Sequence, residues 1–79
     1  MSDYPGGAAG ADSIRADYDV NGNVTYFGLS HPRAEPSDAL WQIRLLVYDG
    51  NGNLLNWKWA DGNRNFDKVW DNRGGYTYS

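Results

Sequence analysis

Two aspartates, Asp67 and Asp71, come closest to a catalytic pair in this chain of 79 residues. They stand four positions apart, which would place both carboxylates on one face of a helix. The paired carboxylates of glycoside hydrolases instead act across a cleft, about 5–10 Å apart. We therefore interpret Asp67 and Asp71 as part of a solvated face and not as a catalytic site.

The single histidine, His31, offers little further chemistry. The chain contains no cysteine, which excludes disulfides, thiolate metal sites and a cysteine nucleophile. One histidine is too few for a zinc site, and His31 lies beside Pro32 in a stretch typical of a loop. No phosphate-binding glycine motif is present in the sequence. The sequence thus predicts a non-enzymatic protein with no cofactor and no metal.

One pattern, Tyr-Asp-x-Asn-Gly-Asn-aliphatic, occurs twice, over residues 18–24 and 48–54. Its oxygen-bearing side chains could suggest a calcium loop. However, an EF-hand has glycine at position 6 and glutamate at position 12, whereas here glycine is fourth from the aspartate and Glu35 is the only glutamate. Asn-Gly between apolar stretches is instead a hairpin signal. We interpret the pattern as two hairpins with the same turn.

The second hairpin has the clearer pattern of alternation. Along residues 41–47, every second side chain is apolar or aromatic, and the same holds for 55–59. Pairing Val47 with Leu55 would put all of these side chains on one face, whereas pairing Val47 with Asn56 would separate them. The first register requires a three-residue loop with Gly52 in the left-handed conformation. We therefore expect Val47 to face Leu55.

The C-terminal region predicts a short helix over residues 65–73. Asn65 is a good N-cap, the apolar residues that follow are spaced three and four apart, and Gly74 would end the helix. Two turns cannot form a stable helix alone, so this one must pack on the sheet. Residues 76–78 read as a final strand. The predicted fold class is mostly β: a small antiparallel sheet of two Asn-Gly hairpins plus a final strand, with one short helix packed on it.

Aromatic residues are expected to supply the core, because a chain this small has few other means of stabilisation. Four tryptophans are present, and 15% of the residues are aromatic. We expect the tryptophans to meet in one core beneath the short helix. The predicted core-specifying residues are Trp41, Trp57, Trp59, Phe66 and Trp70.

Composition also limits the possible partners. The formal net charge is −3, which disfavours binding to nucleic acid. No apolar run approaches the roughly 20 residues of a membrane span, and the N-terminus lacks the pattern of a signal peptide. We expect a protein that is made in the cytoplasm and binds neither nucleic acid nor membrane.

Residues 1–12 are predicted to form an extended N-terminal arm, ahead of a single small β domain at 13–79. Their glycines would let the backbone lie close against another surface, for instance beside the edge of a partner's sheet. The arm is therefore expected to act as an intermolecular strap. The predicted partner-binding residues, including two from the final strand, are Tyr4, Pro5, Gly6, Gly7, Tyr76 and Tyr78.

The second half of the chain resembles a family of small, uncharacterised proteins encoded among the structural genes of tailed bacteriophages. The resemblance covers about residues 40–79 and rests on segments with similar spacing. These segments are Trp41-Gln42-Ile43-Arg44, Tyr48-Asp49, Trp59-Ala60-Asp61-Gly62-Asn63, Phe66-Asp67, Trp70-Asp71-Asn72-Arg73 and Tyr76-Thr77-Tyr78. The repeated hairpin pattern also resembles the tyrosine-aspartate repeats of Rhs-type shells, over about seven residues per copy.

The bacteriophage resemblance implies a virion setting. We expect a non-enzymatic structural protein of a phage particle, as a capsid decoration, neck or tail/fibre-attachment accessory. Its expected partners are other virion proteins, with several copies or a homo-oligomer in the assembly. Tryptophan, tyrosine and arginine are the usual anchors of such interfaces. The alternative is a carbohydrate-binding module that uses exposed tryptophans.

Overall fold

The computed structural model describes residues 13–79, which form one antiparallel sheet. The strand order is β1-β2-β3-β4, and the short β5 pairs with the other end of β3. The mostly-β fold class predicted from the sequence is confirmed. In the part of the chain that the structure describes, no helix is long and apolar enough to cross a membrane. The elements are β1 (Ser13–Tyr18), β2 (Val24–Ser30), β3 (Ala39–Tyr48), β4 (Leu54–Trp59), β5 (Lys68–Val69) and a 3₁₀ helix (Trp70–Gly75).

The loop between β1 and β2 is a three-residue turn closed by Asp19. The Asp19 N–H donates to the carbonyl of Asn23 (2.8 Å), and the Gly22 N–H donates to the carbonyl of Asp19 (3.0 Å). Gly22 has a φ of 83°, a left-handed conformation that glycine adopts without strain. The carboxylate of Asp19 also accepts the N–H of Asn21 at 2.8 Å. The aspartate thus holds the turn through both its backbone and its side chain.

The loop between β3 and β4 repeats this geometry around Asp49. The Asp49 N–H donates to the carbonyl of Asn53 (2.9 Å), and Gly52 has a φ of 84°. N–H groups of Asn53 and Asn51 donate to the Asp49 carboxylate and hold its pKa below the ordinary value. Both expectations, that the repeat encodes one turn twice and that Gly52 is left-handed, are confirmed.

A β-bulge follows each turn and changes the register. Tyr48 faces Leu54, but Val47 faces Asn56, so Leu55 is the extra residue. The expected pairing of Val47 with Leu55 is therefore wrong. The turn has the expected form, and the bulge then shifts β4 by one residue. Because side chains alternate between faces, this shift moves every later residue of β4 to the opposite face.

The core lies on one face of the sheet and centres on two tryptophans. Trp41 is fully buried and Trp70 is 4% exposed, with their ring centroids 6.0 Å apart. Ile43 and Ala60 complete the buried apolar cluster. The indole N–H of Trp41 donates to the carbonyl of Glu35 (2.9 Å), so the buried ring has its polar atom satisfied.

The predicted core is wrong for Trp57 and Phe66, which are 48% and 38% exposed. Trp57 lies on the other face because of the bulge. Phe66 lies outside the core and stacks on His31, with ring centroids 5.6 Å apart. Trp59 is half-buried and shares the face of Trp57. Only Trp41 and Trp70 of the five expected residues belong to the buried cluster.

A short helix packed on the sheet is present as predicted, but its predicted bounds of 65–73 are wrong, and it is a 3₁₀ helix. Residues 65–67 are not helical, Lys68 and Val69 form β5, and the 3₁₀ helix begins at Trp70. Val69 precedes this helix in an extended conformation, without a side-chain cap. Lys68 is 3% exposed, bonded to Asn63 and paired with Asp67. Satisfying this buried ammonium and pairing with β3 take precedence over a weak two-turn helix.

The chain after the 3₁₀ helix returns to the end of β4. Trp59 and Ser79 exchange two backbone hydrogen bonds, of 2.9 and 3.1 Å, and Tyr78 forms a single bridge with Ala60. The expected final strand is thus a short bridged segment. Arg73 lies over the Trp70 ring at 4.6 Å and pairs with the carboxylate of Asp17, which ties the 3₁₀ helix to β1.

Gly28 in β2 is the point at which the 3₁₀ helix meets the sheet. A Cβ atom at this position would lie 2.6 Å from Cε3 of Trp70 and 3.2 Å from Cε3 of Trp41. The contact with Trp70 is too short to exist without a shift and the one with Trp41 is tight, and both neighbours are ring atoms of buried side chains. Glycine is therefore required here for close approach.

We predict that Gly28→Ala lowers the free energy of unfolding by about 1–3 kcal/mol, because the added methyl overpacks the core. Chemical denaturation would measure this change. Gly50→Ala is the matched control: no atom lies within 4 Å of a Cβ at Gly50, so we expect a change within about 0.5 kcal/mol. Equal effects of the two substitutions would show that Trp70 does not pack on Gly28.

Candidate functional site

The face of the sheet opposite the core carries the candidate site. Arg44 in β3 stands directly across from Phe27 in β2 and from Trp59 in β4. Trp57 lies two residues before Trp59 and shares its face. We call the set Phe27, Arg44, Trp57 and Trp59 the aromatic face. The bulge in the second hairpin creates this face, because it turns two tryptophans away from the core.

The guanidinium of Arg44 lies among three aromatic rings. Its Cζ is 4.6 Å from the ring centroid of Trp59, 5.3 Å from that of Phe27 and 5.7 Å from that of Trp57. These distances are within the range of cation–π attraction. Burial against the rings lowers the pKa of Arg44. The guanidinium nevertheless stays cationic at neutral pH, because the ordinary pKa of arginine lies far above 7.

Arg44 has hydrogen-bonding capacity that the described residues do not use. Its Nη2 donates to Oε1 of Gln42 at 3.3 Å, while its Nε is buried without a hydrogen-bond partner among residues 13–79. Gln42 in turn donates from Nε2 to the backbone carbonyl of Arg64 (2.9 Å). This chain of contacts holds the loop after β4 beside the aromatic face.

Arg64 adds a second positive charge to the same region. Its Cζ lies 5.9 Å from the Trp59 ring centroid. Within residues 13–79, ion pairs join Lys68 to Asp67 and Arg73 to Asp17, and none reaches Arg44 or Arg64. The aromatic face is therefore locally cationic on a chain whose net charge is −3.

The aromatic face continues into the exposed outer edge of the sheet. Trp57 is 48% exposed, and the neighbouring Leu54 and Leu55 are 46% and 62% exposed. All three belong to β4, an outer strand of the four-stranded order. Large apolar side chains that cluster on a surface in this way mark interaction sites, and aromatic and arginine side chains dominate interface energetics.

The two predicted partner-binding tyrosines of the final strand make hydrogen bonds within the domain. The hydroxyl of Tyr76 accepts the N–H of Val69 (2.8 Å), and that of Tyr78 donates to the carbonyl of Arg73 (2.7 Å). Burial, with the nearby Tyr26 and Tyr76, raises the pKa of Tyr78. The structure does not bring these two tyrosines to the aromatic face. The remaining predicted partner-binding residues, Tyr4, Pro5, Gly6 and Gly7, lie outside the described residues.

The described residues do not assemble a recognisable catalytic centre. Asp67 pairs with Lys68, whereas Asp71 lies in the 3₁₀ helix. Residues 13–79 contain no group of three His, Cys, Asp or Glu side chains placed to hold a metal ion. An open hollow beside the 3₁₀ helix contains one carboxylate, of Asp71, and one phenol, of Tyr76. Its lining residues are Asp71, Asn72, Gly74, Gly75 and Tyr76.

Sequence reasoning missed Phe27, Arg44 and Arg64 as functional candidates. The available signal was the position of Arg44 among apolar residues in the middle of the longest strand. An isolated arginine there must lie on the face opposite Trp41 and Ile43. Its aromatic neighbours depend on the register, which the pattern of apolar residues alone did not determine.

The chain matches no protein-family model, and neither characterised proteins nor solved structures show a significant match to it.

We predict that Arg44→Ala lowers the free energy of unfolding by about 1–2 kcal/mol, because three rings lose their packing and cation–π partner. Arg44→Lys should recover only part of this, since lysine lacks the planar guanidinium. Thermal denaturation with near-ultraviolet circular dichroism would measure both. Arg15→Ala, at an exposed position of β1, is the control and should change little. If all three variants match the parent, Arg44 does not organise the aromatic face.

Proposed function

We propose that this chain is a non-enzymatic structural protein that docks onto other proteins through its aromatic face. The observation that carries the proposal is the exposure of Trp57 beside Arg44 on a face that is separate from the core. Tryptophan and arginine are the residues most enriched in interface hot spots. A core that is complete on the other face frees this surface for a partner.

The bacteriophage resemblance supplies the proposed setting. We place the chain in a virion, as a capsid decoration, neck or tail/fibre-attachment accessory that binds a larger virion protein or further copies of itself. Three features support this role: a small β domain, an exposed apolar strand edge, and an N-terminal segment that the sequence predicts to be an arm. The support for a virion comes from the sequence resemblance, and the support for docking comes from the surface.

A carbohydrate-binding module is the second candidate, favoured by the exposed indole of Trp57. Sugar rings stack on open aromatic faces, and polar neighbours then orient their hydroxyls. Here the guanidinium of Arg44 lies 5.7 Å from the centroid of the Trp57 ring and 4.6 Å from that of the Trp59 ring. This cation lies against ring surface that a sugar would use. The arrangement therefore favours a protein partner over a glycan.

Mass spectrometry of purified phage particles tests the setting directly. We expect the chain in the particles in a fixed stoichiometry, and its absence would exclude the virion role.

We further expect Trp57→Ala to keep the melting temperature within a few degrees, because the side chain is half exposed, yet to reduce incorporation strongly. Phe66→Ala, which removes a part-exposed aromatic ring outside the aromatic face, should leave incorporation intact. Specific glycan-array binding that Trp57→Ala abolishes would support the second candidate.

A further inference from the structure

The outer edge of β4 has backbone groups that can receive another strand. Trp59 and Ser79 exchange hydrogen bonds on the side of β4 away from β3. Backbone groups of alternate residues in a strand point to the same side, so the N–H and C=O of Trp57 also point outward. Ala60, with the opposite parity, donates to Ile43 of β3 at 3.0 Å. An extended segment could therefore continue the ladder beyond Ser79, along Trp57 toward Leu54.

Charge indicates which kind of segment would bind there. Arg44 and Arg64 lie at the Trp59 end of this edge, without an ion-pair partner among residues 13–79. An antiparallel segment would bring its N-terminal residues to that end, because it runs opposite to β4. The best occupant is consequently an extended segment with a carboxylate near its N-terminus and small residues after it.

Residues 1–12 of this same chain, MSDYPGGAAGAD, have that composition. Asp3 stands near the N-terminus, no lysine or arginine occurs among the twelve, and glycine and alanine follow. Small side chains let a backbone approach the exposed indole of Trp57 closely. Fully extended, twelve residues span about 40 Å. This length is sufficient for a strand beside β4 of one copy and a connection to the domain of the copy that supplies the segment.

Strand direction favours the segment of a second copy over that of the same copy. Ser13 begins β1, at the edge of the four-stranded order opposite β4, so residues of the same chain would first cross about 14 Å. They would then run parallel to β4, because β1 and β4 are antiparallel to each other. A second copy can approach from the Leu54 end in the antiparallel direction.

We propose that residues 1–12 of one copy add as an antiparallel strand to the β4 edge of the next copy, with the carboxylate of Asp3 at Arg44 and Arg64. Main-chain hydrogen bonds to Trp57 supply affinity, and the charge pairing sets direction. The contact is head-to-tail, so it links copies into a ring or a filament. This inference refines the proposed structural role and rests on it for its biological setting.

Paramagnetic relaxation enhancement tests the contact in solution. The chain has no cysteine, so Ser2→Cys gives a single site for a nitroxide label. Full-length nitroxide-labelled protein at natural isotope abundance is mixed with full-length ¹⁵N-labelled protein that carries no nitroxide. Only contacts between copies then broaden the ¹⁵N signals. We expect broadening of the Trp57 amide and indole and of the Arg64 amide, and little along β1.

Charge variants make the test specific. Asp3→Arg and Arg64→Asp should each weaken self-association about three- to tenfold in sedimentation equilibrium, and the double variant should recover most of the loss. Arg33→Asp, an equal charge change at an exposed loop residue, is the control. The proposal is overturned if the broadened signals belong to other residues, or if no signal broadens at millimolar protein. It is also overturned if broadening occurs only when the nitroxide and the ¹⁵N are in the same chain. Those outcomes leave particle incorporation, the test of the structural role, unaffected.

Discussion

The packing of the Trp70 ring on Gly28 determines the rest of the structure. The domain has no disulfide, and its buried apolar cluster consists of four residues, so one face of the sheet must be sealed efficiently. Trp70 does this from a 3₁₀ helix that could not exist alone. The ring reaches the sheet only because β2 has no side chain at Gly28. The guanidinium of Arg73 lies over this ring and forms an ion pair with Asp17, which links the 3₁₀ helix to β1.

Because Trp70 completes the core on one face of the sheet, the residues of the other face are not needed for the core and can contact a partner. Burial of Trp41, Ile43 and Ala60 uses the core side of β3 and the residue that follows β4. The bulge at Leu55 sends Trp57 and Trp59 to the far side, where the guanidinium of Arg44 lies among the rings. A desolvated arginine without a carboxylate among residues 13–79 is costly to a monomer. A partner that supplied an acidic group would offset that cost.

The fold was predictable from the sequence wherever local chemistry determined it. The turns at Asp19 and Asp49 followed from Asn-Gly and a left-handed glycine, and alternation indicated the hairpins. The bulge at Leu55 was not predictable, because β3 offers apolar side chains on both faces, such as Leu45 on one and Leu46 on the other, so the alternation in β4 fits either register. Since Arg44 meets its rings only in the shifted register, the candidate site was missed together with it. The predicted helix began too early, because the apolar spacing gave no sign that Lys68 is buried and pairs with β3 as part of β5.

Hydrogen exchange of the four indole N–H groups tests the two-faced arrangement most directly. In the isolated protein we predict strong protection of Trp41, whose N–H donates to Glu35, and exchange near the unprotected rate for the half-exposed Trp57. In the assembled state we predict that Trp57 gains protection while Trp41 stays unchanged. Equal protection of Trp57 and Trp41 in the isolated protein would contradict the account, because all the tryptophans would then share one core.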